Sequence, residues 1–381
     1  MIVNGYKDVI TLAHPHTILK FELIEKYIAA WAQKLMNNSS CHTLVYIDCM
    51  CNSGIYKNDD GDTIKGSAIR VAEILEEVAK TYPDKRVEIY FNDIDNRKIE
   101  LLKKNLPINS SNFQIIVASI DKKLFLREIG PQFYEKPYTH YFLLYDPYDA
   151  NIDWEELIPF FRNWGEVLIN HMASDPIRAI KCVKKEHKKD KYAQSYMMDD
   201  FEKLLPYGSN RKSYEARVHQ IVQELGSGRS CYVASFPFFN KNNAFLYDLV
   251  HYTTNSVGFE LFKKCAWQVF GGRSSGKHNK QKLMQQTSFD FIGDGCAIIT
   301  ADKDEDCYSI VDIAEYLQKE FRGRKQVFLE EVWDLLGKHP IFPSGEFCDE
   351  IKDILIDYYD VKKVRIIDKK SGKKKEALDF V

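Results

Sequence analysis

Acidic residues directly follow three apolar segments in the first half of the chain. Asp48 closes "TLVYID", Asp93 closes "RVEIYFND", and Asp146 follows "HYFLLY". If these segments are parallel strands of one sheet, their carboxyl ends form the edge where open α/β folds bind ligands. Carboxylates at such an edge accept hydrogen bonds from hydroxyl or amino groups. The pattern therefore predicts a cofactor and substrate site built on the ends of three strands.

The turn after Asp48 lies where a nucleotide-binding βα unit has a glycine-rich turn, but it contains a single glycine. Residues 46–56 read "YIDCMCNSGIY". Gly54 can let the backbone approach a ligand closely, and Asn52 is among the residue types most able to adopt positive φ. We expect Asp48, Cys49, Asn52 and Gly54 to contact a cofactor.

The second and third strands supply two further cofactor candidates. An acid at the end of the second strand, Asp93 or Asp95, can hold ribose hydroxyls. Ser119 closes the third strand, "FQIIVAS". Each acid could instead have a structural role as a helix cap or turn residue. The occurrence of acids at three strand ends together favours a functional site.

Cys49 and Cys51 raise the question of a metal site. A structural zinc site needs four ligands, usually in two close pairs. The chain has nine cysteines but no CxxC, and Cys41 precedes the strand. We therefore predict no metal site and expect the two thiols to act as small apolar residues lining the pocket.

The fourth strand ends in "DPY", which resembles the Asp/Asn-Pro-Pro-aromatic turn of amino-methyltransferases. In that turn the carboxylate and a backbone carbonyl accept hydrogen bonds from the target NH2 group, and the aromatic ring stacks on the base. Proline fixes the turn and removes a competing donor. Asp146, Pro147 and Tyr148 are accordingly the catalytic candidates.

The elements that must position these residues alternate between strand and helix. Nearly continuous apolar runs at 43–48, 86–93, 113–119, 140–147 and 166–172 are typical of buried parallel strands. Helical patterns cover 16–36 before the first strand and 67–80, 96–106, 122–130 and 154–164 between the strands. An antiparallel pair, 231–239 and 245–253, follows across the turn residues "NKNN". The pattern predicts a doubly wound α/β, Rossmann-like sheet.

Two domains are expected. Residues 1–300 would form the α/β domain, with a charged helical insertion at about 180–212. An acidic linker, "ADKDED" (301–306), precedes a module at 307–381 with three predicted helices and a basic hairpin. Three helices and a hairpin predict a winged-helix shape, and we expect this module to fold alone.

The net charge of −2 hides local clusters of lysine. These clusters occur at 181–191, 271–282 and 362–375. If they border one cleft, they form a groove that can hold a phosphate backbone; if they point in different directions, they are solvated surface. The segment "GGRSSGKH" (271–278) nearly matches a phosphate-binding loop, but His278 replaces the Ser/Thr and a helix precedes it. A flexible basic loop is the preferred interpretation.

The sequence also excludes some classes of protein. The start, "MIVNGYKDVI", does not read as a signal peptide, and no run approaches the roughly 20 apolar residues of a membrane helix. An odd number of cysteines without CxxC spacing favours free thiols. We expect a reduced, cytoplasmic protein with no membrane partner.

With these segments in place, the chain resembles the bacterial three-Cys-motif partner protein family. The resemblance covers most of the chain, through "KFELIEKYIAAW", "YIDCMCNSGIY…GSA", "FNDIDNRK", "YDPYD", "VLINHMASDPIR" and "FFNKNNAFLYDLVHYTTNSVGFELFKKCAW". It implies a class I methyltransferase fold with S-adenosylmethionine as cofactor and a C-terminal winged-helix module. A radical-SAM-like protein with a three-cysteine motif is the implied partner.

The departures from that family fall in the cofactor turn. Cys49 and Asn52 stand where the family has glycines, and Ala68 replaces a proline. Two hypotheses follow. The chain is a methyltransferase that modifies an amino group of RNA or DNA, or it is a catalytically degenerate scaffold that binds a partner protein or nucleic acid.

Overall fold

Strands and helices alternate along the first half of the chain in the computed structural model, which describes residues 9–133, 136–162, 164–180, 186–225, 231–277, 306–368 and 371–380. The helices are α1 (Pro15–Met36), α2 (Ser67–Thr81), α3 (Asn96–Lys103), α4 (Lys122–Ile129), α5 (Trp154–Leu157), α6 (Ser174–Ala179), α7 (Glu186–Ser195), α8 (Arg211–Leu225), α9 (Ser256–Val269), α10 (Ile310–Phe321), α11 (Leu329–Lys338) and α12 (Cys348–Tyr359). The strands are β1 (Thr11–Leu12), β2 (Thr43–Asp48), β3 (Ile55–Lys57), β4 (Thr63–Lys65), β5 (Arg86–Asn92), β6 (Phe113–Ala118), β7 (Thr139–Tyr145), β8 (Gly165–His171), β9 (Tyr232–Phe239), β10 (Phe245–Thr253), β11 (Val327–Phe328), β12 (Lys362–Ile367) and β13 (Lys374–Asp379).

Seven strands form the central sheet in the order β6-β5-β2-β7-β8-β10-β9. The first five are parallel, β10 runs antiparallel to β8, and β9 runs antiparallel to β10. The chain moves outward from β2 to β5 and β6, then returns to the other side of β2 for β7. The switch point of this doubly wound sheet therefore lies between β2 and β7.

Helices cover both faces of the sheet, so the sheet strands alternate between two cores. On β2, Leu44 and Tyr46 pack into the core formed with α1, α2 and α9, and Val45 and Ile47 pack into the core formed with α4, α5 and α8. This burial on two faces explains why the strands read as apolar runs rather than alternating ones.

The predicted strands of the central sheet are confirmed to within one or two residues at each end. The antiparallel pairing of β9 with β10 is also confirmed. The helix predicted over 154–164 is wrong in length, because α5 ends at Leu157 and a 3-10 turn follows at Ile158–Phe160. Pro159 explains the early end, since it has no backbone N–H to continue the helical bonding.

A second, small sheet was not predicted. It has the order β1-β3-β4, with β1 parallel to β3 and β3 antiparallel to β4. It places residues 11–13 beside the hairpin that follows the cofactor turn, where the backbone N–H of Ala13 donates to the carbonyl oxygen of Lys57 at 2.7 Å. The N-terminal segment is thereby held close to the candidate site.

The predicted charged insertion is helical where it is described. Helix α7 and a 3-10 segment at Phe201–Tyr207 lie within 180–212, and residues 181–185 lie outside the described part. Helix α8 continues beyond the predicted boundary to Leu225. Lys191, on α7, forms an ion pair with Asp149, so this helix lies beside the segment that carries the "DPY" turn.

The C-terminal module contains α10, α11, α12 and an antiparallel sheet in the order β11-β13-β12. Its three helices and basic hairpin agree with the elements predicted from the sequence. The linker residues 301–305 lie outside the described part of the chain. The domain boundary near 306 stays a prediction.

A buried lysine of α9 contacts the C-terminal module. The ammonium of Lys263 donates to the carbonyl oxygens of Leu336 (3.0 Å), Gly337 (3.2 Å), His339 (2.9 Å) and Phe342 (2.9 Å). These carbonyl groups lie in the last turn of α11 and just beyond it, where helical carbonyls lack intrahelical partners. Lys263 thus satisfies the end of α11 and fixes the module against α9.

Other predicted features have mixed outcomes. The segment before Gly271 is helix α9, as predicted, and His278 lies outside the described residues. Parts of all three lysine clusters, 181–185, 278–282 and 369–370, are likewise outside. Within the described ranges, no helix combines the length and apolar character needed to cross a membrane.

Candidate functional site

Three carboxylates converge at the switch point of the sheet. Asp48 ends β2, Asp93 follows β5 and Asp146 follows β7, so each lies at the carboxyl end of one of three neighbouring strands. Asp48 and Asp93 are buried, with 2% and 3% of their surface exposed. Burial, with a contribution from the nearby Asp146, raises the pKa of Asp48 to about 8. The sheet therefore concentrates acidic groups at the edge predicted from the sequence.

The cofactor turn is shaped by two residues with positive φ. Asn52 has φ 59° and Gly54 has φ 69°. The backbone N–H of Asn52 donates to Oδ2 of Asp93 at 3.1 Å. Its side-chain amide donates to Oγ1 of Thr11 and to the hydroxyl of Tyr148, both at 3.2 Å. Asn52 thus adopts a glycine-like conformation and extends a side chain across the crevice.

Gly54 is required by packing as well as by its backbone angle. A Cβ atom there would lie 2.7 Å from Cδ1 of Leu102 and 2.8 Å from Cγ1 of Ile69. Gly66 is similarly constrained, because a Cβ atom would lie 2.3 Å from the ring of Tyr56. The two glycines bring the turn and the start of α2 together, and the N–H of Gly66 donates to the carbonyl oxygen of Gly54 at 2.7 Å.

The two thiols of the turn lie in the two cores. Cys49 packs with the α4 and α5 side of the sheet, and Cys51 packs with the α1 and α2 side. Burial raises the pKa of both thiols well above the usual range, which disfavours the thiolate that binds metals. Among the residues that the structure describes, no group of three or more His, Cys, Asp or Glu is arranged to hold a metal ion.

Asp93 is already engaged by backbone groups. Besides the N–H of Asn52, it accepts a hydrogen bond from the N–H of Asp95 at 2.9 Å. Asp95 itself caps α3 by accepting from the N–H of Arg97 at 3.0 Å. The cap interpretation therefore applies to Asp95. Asp93 braces the cofactor turn through one carboxylate oxygen and the start of α3 through the other.

Ser119 lies next to the end of β5. Its hydroxyl donates to the carbonyl oxygen of Ile94 at 3.4 Å. The side chain of Ile94 is 73% exposed, an unusual position for a large apolar residue beside buried carboxylates. The pair forms a polar and an apolar element on the same rim of the crevice.

Two side chains that were not predicted from the sequence hold the carboxylate of Asp146. Lys20, on α1, donates to Oδ2 at 2.5 Å, and the amide of Asn170, at the end of β8, donates to Oδ1. Pro147 follows, and the ring of Tyr148 is 62% exposed. The ammonium of Lys98 lies 2.9 Å from the hydroxyl of Tyr148 and 3.9 Å from Oδ2 of Asp93.

Sequence reasoning missed Lys20, Lys98, Asn170 and Asn92. Asn92 is buried at the end of β5, where its amide donates to the carbonyl oxygens of Cys49 (3.2 Å) and Ile120 (3.0 Å). Polar residues inside or at the end of an apolar strand were the available signal for Asn92 and Asn170. No local pattern marks Lys20 or the contact of Lys98 with Tyr148, because these partners meet only through the tertiary fold.

No family model matches the chain, and no curated protein matches it. Solved structures of methyltransferases match part of the chain.

Three of these structures illustrate the likeness. Trm1 from Pyrococcus horikoshii, in complex with S-adenosyl-L-methionine, is 13% identical over 66% of this chain, with a TM-score of 0.36. The chain spans 58% of the length of that protein. Human methyltransferase-like protein 13, in complex with SAH, is 8% identical over 74% of this chain and 97% of its own, with a TM-score of 0.29. Loganic acid methyltransferase with SAH is 10% identical over 67% of this chain and 83% of its own, with a TM-score of 0.29.

Proposed function

We propose that the chain is an S-adenosylmethionine-dependent methyltransferase with a class I fold that modifies an amino group of a nucleic acid. The observation that carries this proposal is the convergence of Asp48, Asp93 and Asp146 on one switch point, with the "DPY" turn at its rim. Ligands of open α/β sheets bind at such points. The methyltransferases of similar fold, two of them with SAH, agree with the proposal but do not carry it.

The residues around the crevice have the chemistry to hold the cofactor. Asp93 can accept hydrogen bonds from ribose hydroxyls, because each carboxylate oxygen has two lone pairs and only one donor. The exposed side chain of Ile94 offers an apolar surface for a flat heterocycle, beside the hydroxyl of Ser119. Burial holds Asp48 mostly protonated at neutral pH. The positively charged sulfonium that carries the methyl group of the cofactor would favour its ionised form.

The substrate side of the site would be formed by Asp146, Pro147 and Tyr148. Lys20 and Asn170 each use one lone pair of Asp146, which leaves acceptor capacity for the two N–H groups of an amine. The exposed ring of Tyr148 is free on one side to stack on a base. Because methyl transfer depends mainly on positioning the amine, the fixed carboxylate matters more than a strong base.

A nucleic-acid substrate is supported by the cations beside this turn. Lys98 lies over the ring of Tyr148, with its ammonium 4.9 Å from the ring centre. Helix α7, which carries Lys188, Lys189 and Lys191, is held next to the turn by the pair between Lys191 and Asp149. Cations at this distance can contact phosphates that flank a stacked base.

The C-terminal module is proposed to be a winged helix, with β12 and β13 as the wing. The lysines of this hairpin can contact phosphates or a protein partner. A three-Cys-motif radical-SAM-like protein remains the partner implied by the sequence resemblance. Pull-down of such a protein by the full chain, lost when the hairpin lysines are replaced by glutamate, is the expected result.

Calorimetric titration with S-adenosylhomocysteine tests the proposal. We expect binding that weakens when Asp93 is replaced by asparagine, with Asp95→Asn as the control because Asp95 caps α3. Absence of binding at about 1 mM ligand, an affinity below about 4 kcal/mol, would exclude the methyltransferase proposal.

Nucleic-acid binding needs its own measurement. RNA or DNA affinity should fall steeply with salt, because each neutralised phosphate releases counterion. We expect Lys188→Glu to weaken binding. No detectable binding at about 50 mM salt, where phosphate contacts are strongest, would remove nucleic acid as the substrate class.

The side chain of Asn52 favours a second candidate function, a catalytically degenerate scaffold. It bridges Thr11 and Tyr148 across the crevice, where a glycine would leave space. Replacing Asn52 by glycine distinguishes the two functions. A gain in S-adenosylhomocysteine affinity of about tenfold or more, near 1.4 kcal/mol, would support degeneracy. Unchanged affinity in the natural chain and the glycine variant would support the enzyme.

A further inference from the structure

A second cavity opens at the other edge of the central sheet. It has a volume of about 380 Å³ and lies at the amino ends of β7 and β8, far along these strands from Asp146. Pockets of this size suit small ligands. The wall residues come from five parts of the fold: Trp31 and Leu35 of α1, His140 of β7, Trp164 to Glu166 at the start of β8, Tyr232 of β9, and Thr253 to Ser256 where β10 leads into α9.

One carboxylate supplies the only acidic charge of this lining. Oε2 of Glu166 accepts hydrogen bonds from the hydroxyl of Tyr27 and from Nε2 of His251, the latter at 2.8 Å. Oε1 accepts no hydrogen bond from the part of the chain that the structure describes. A Cβ atom at Gly258 would lie 2.5 Å from Oε1, so the start of α9 has room for the carboxylate only with glycine there.

A neutral imidazole beside the carboxylate lacks a partner. His140 is 4% exposed, and its Nδ1 atom has no hydrogen-bond partner among the described residues. Burial lowers the pKa of His140 to about 4, so its ring is neutral at pH 7. Nδ1 has less than 1 Å² of accessible surface, so this nitrogen is closed to a ligand in the cavity. The cavity thus offers one carboxylate oxygen, Oε1 of Glu166, to a donor.

Two tryptophans complete the walls. Trp31 is buried on α1, and Trp164 is 57% exposed, with its ring edge-to-face on His140 at 4.9 Å between centroids. Trp164 has φ 70°, a left-handed conformation that is uncommon for a bulky side chain. Backbone strain of this kind concentrates at ligand sites. Here it accompanies an exposed indole in the wall of the cavity.

We propose that this cavity binds a small organic cation with N–H groups, such as an alkylammonium or a guanidinium. Aromatic faces attract cations, and Glu166 compensates the charge. Oε1 of Glu166 can accept a hydrogen bond, which favours an ammonium with N–H over a quaternary ammonium. Lysine, arginine and protonated His are absent from the described lining, so the walls present no competing cation.

Calorimetry on the full chain with propylammonium, methylguanidinium and tetramethylammonium tests this site. We expect saturable binding of the first two and weaker binding of the third. Glu166→Gln and Trp164→Gly should each weaken binding by about tenfold, as expected for losing a charged contact or a cation–aromatic contact.

A matched control separates this effect from general destabilisation. Tyr138 is another exposed aromatic residue with positive φ, 60°, but it stacks on His42 and does not line the cavity. Tyr138→Gly should keep full affinity, as should Asp146→Asn in the candidate active site. No saturable binding up to about 10 mM, weaker than about 3 kcal/mol, would overturn the proposal. Equal binding by the natural chain and Trp164→Gly would overturn it as well, and this variant relieves strain, so misfolding would not explain a loss.

Discussion

The ammonium of Lys20 lies 2.5 Å from Oδ2 of Asp146, although 126 residues separate them in sequence. Both side chains are largely shielded, with 10% and 24% exposure. The pair connects α1 to the turn that follows β7. The position of the Asp146 carboxylate, which is proposed to bind the substrate amine, therefore depends on a residue outside the central sheet. Charge-assisted hydrogen bonds in shielded positions are stronger than those on the surface.

Replacing Lys20 by methionine should lower the rate of methyl transfer by about 10- to 100-fold, since a charged hydrogen bond contributes about 1.5 to 3 kcal/mol. Binding of S-adenosylhomocysteine should change little, because Lys20 contacts the substrate side. Steady-state rates and calorimetry measure the two effects. Lys26→Met, on the exposed face of the same helix, is the control, and an equal loss in both variants would contradict the assigned role.

Asp48 should make stability depend on pH. Its folded pKa of about 8 exceeds its unfolded value of 3.8, so the fold binds this proton more strongly than the unfolded chain does. The free energy of unfolding should therefore fall as pH rises from about 4 to about 8, by at most about 1.4 kcal/mol per pH unit. Urea unfolding at pH 5 and pH 8 should show a smaller fall for Asp48→Asn. Identical slopes for the two chains would contradict this prediction.

Alanine substitutions at Gly54 and Gly61 distinguish the cost of backbone strain from the cost of steric crowding. Both have positive φ, but a Cβ atom at Gly61 meets nothing within 4 Å, whereas one at Gly54 meets Leu102 and Ile69. Gly61→Ala should cost about 1 kcal/mol. Gly54→Ala should cost about 2 to 4 kcal/mol, because overpacking adds to the backbone term. Chemical denaturation measures both, and equal costs would show that packing around Gly54 relaxes freely.

Lys263→Met should destabilise the contact between α9 and the C-terminal module by about 3 kcal/mol or more, because buried carbonyl groups lose their donor. Limited proteolysis should then cleave the chain faster between 277 and 306. Lys264→Met is the control, since Lys264 is more exposed and its pair with Glu346 should contribute less than about 1 kcal/mol. If 307–381 folds alone, as the sequence predicts, the released module keeps a dispersed amide spectrum.

The central sheet could be predicted because its information is local. Each strand is an apolar run with a turn or helix signal after it, and the acids that follow β2, β5 and β7 are adjacent to those runs. The strands of the small sheet are only two or three residues long, too short for a hydrophobic period to emerge. Their pairing was therefore visible only in three dimensions.

The candidate site was predictable in part for the same reason. The three acids could be predicted because each lies at the end of an apolar strand: Asp48, Asp93 and Asp146. Asn52 could be predicted because asparagine tolerates positive φ. The contacts of Lys20 and Asn170 with Asp146 depend on how α1 and β8 pack, which no local spacing encodes. Glu166 is hidden for a related reason, since a single acid at the start of an apolar strand resembles an exposed end residue.

Helix α1 carries residues of both ends of the molecule. Lys20 contacts the turn after β7, and Trp31 lines the cavity at the opposite edge of the sheet, about 16 Å further along the helix axis. Both residues belong to one continuous hydrogen-bonded helix, so a rigid shift of α1 along its axis would displace Lys20 and Trp31 together.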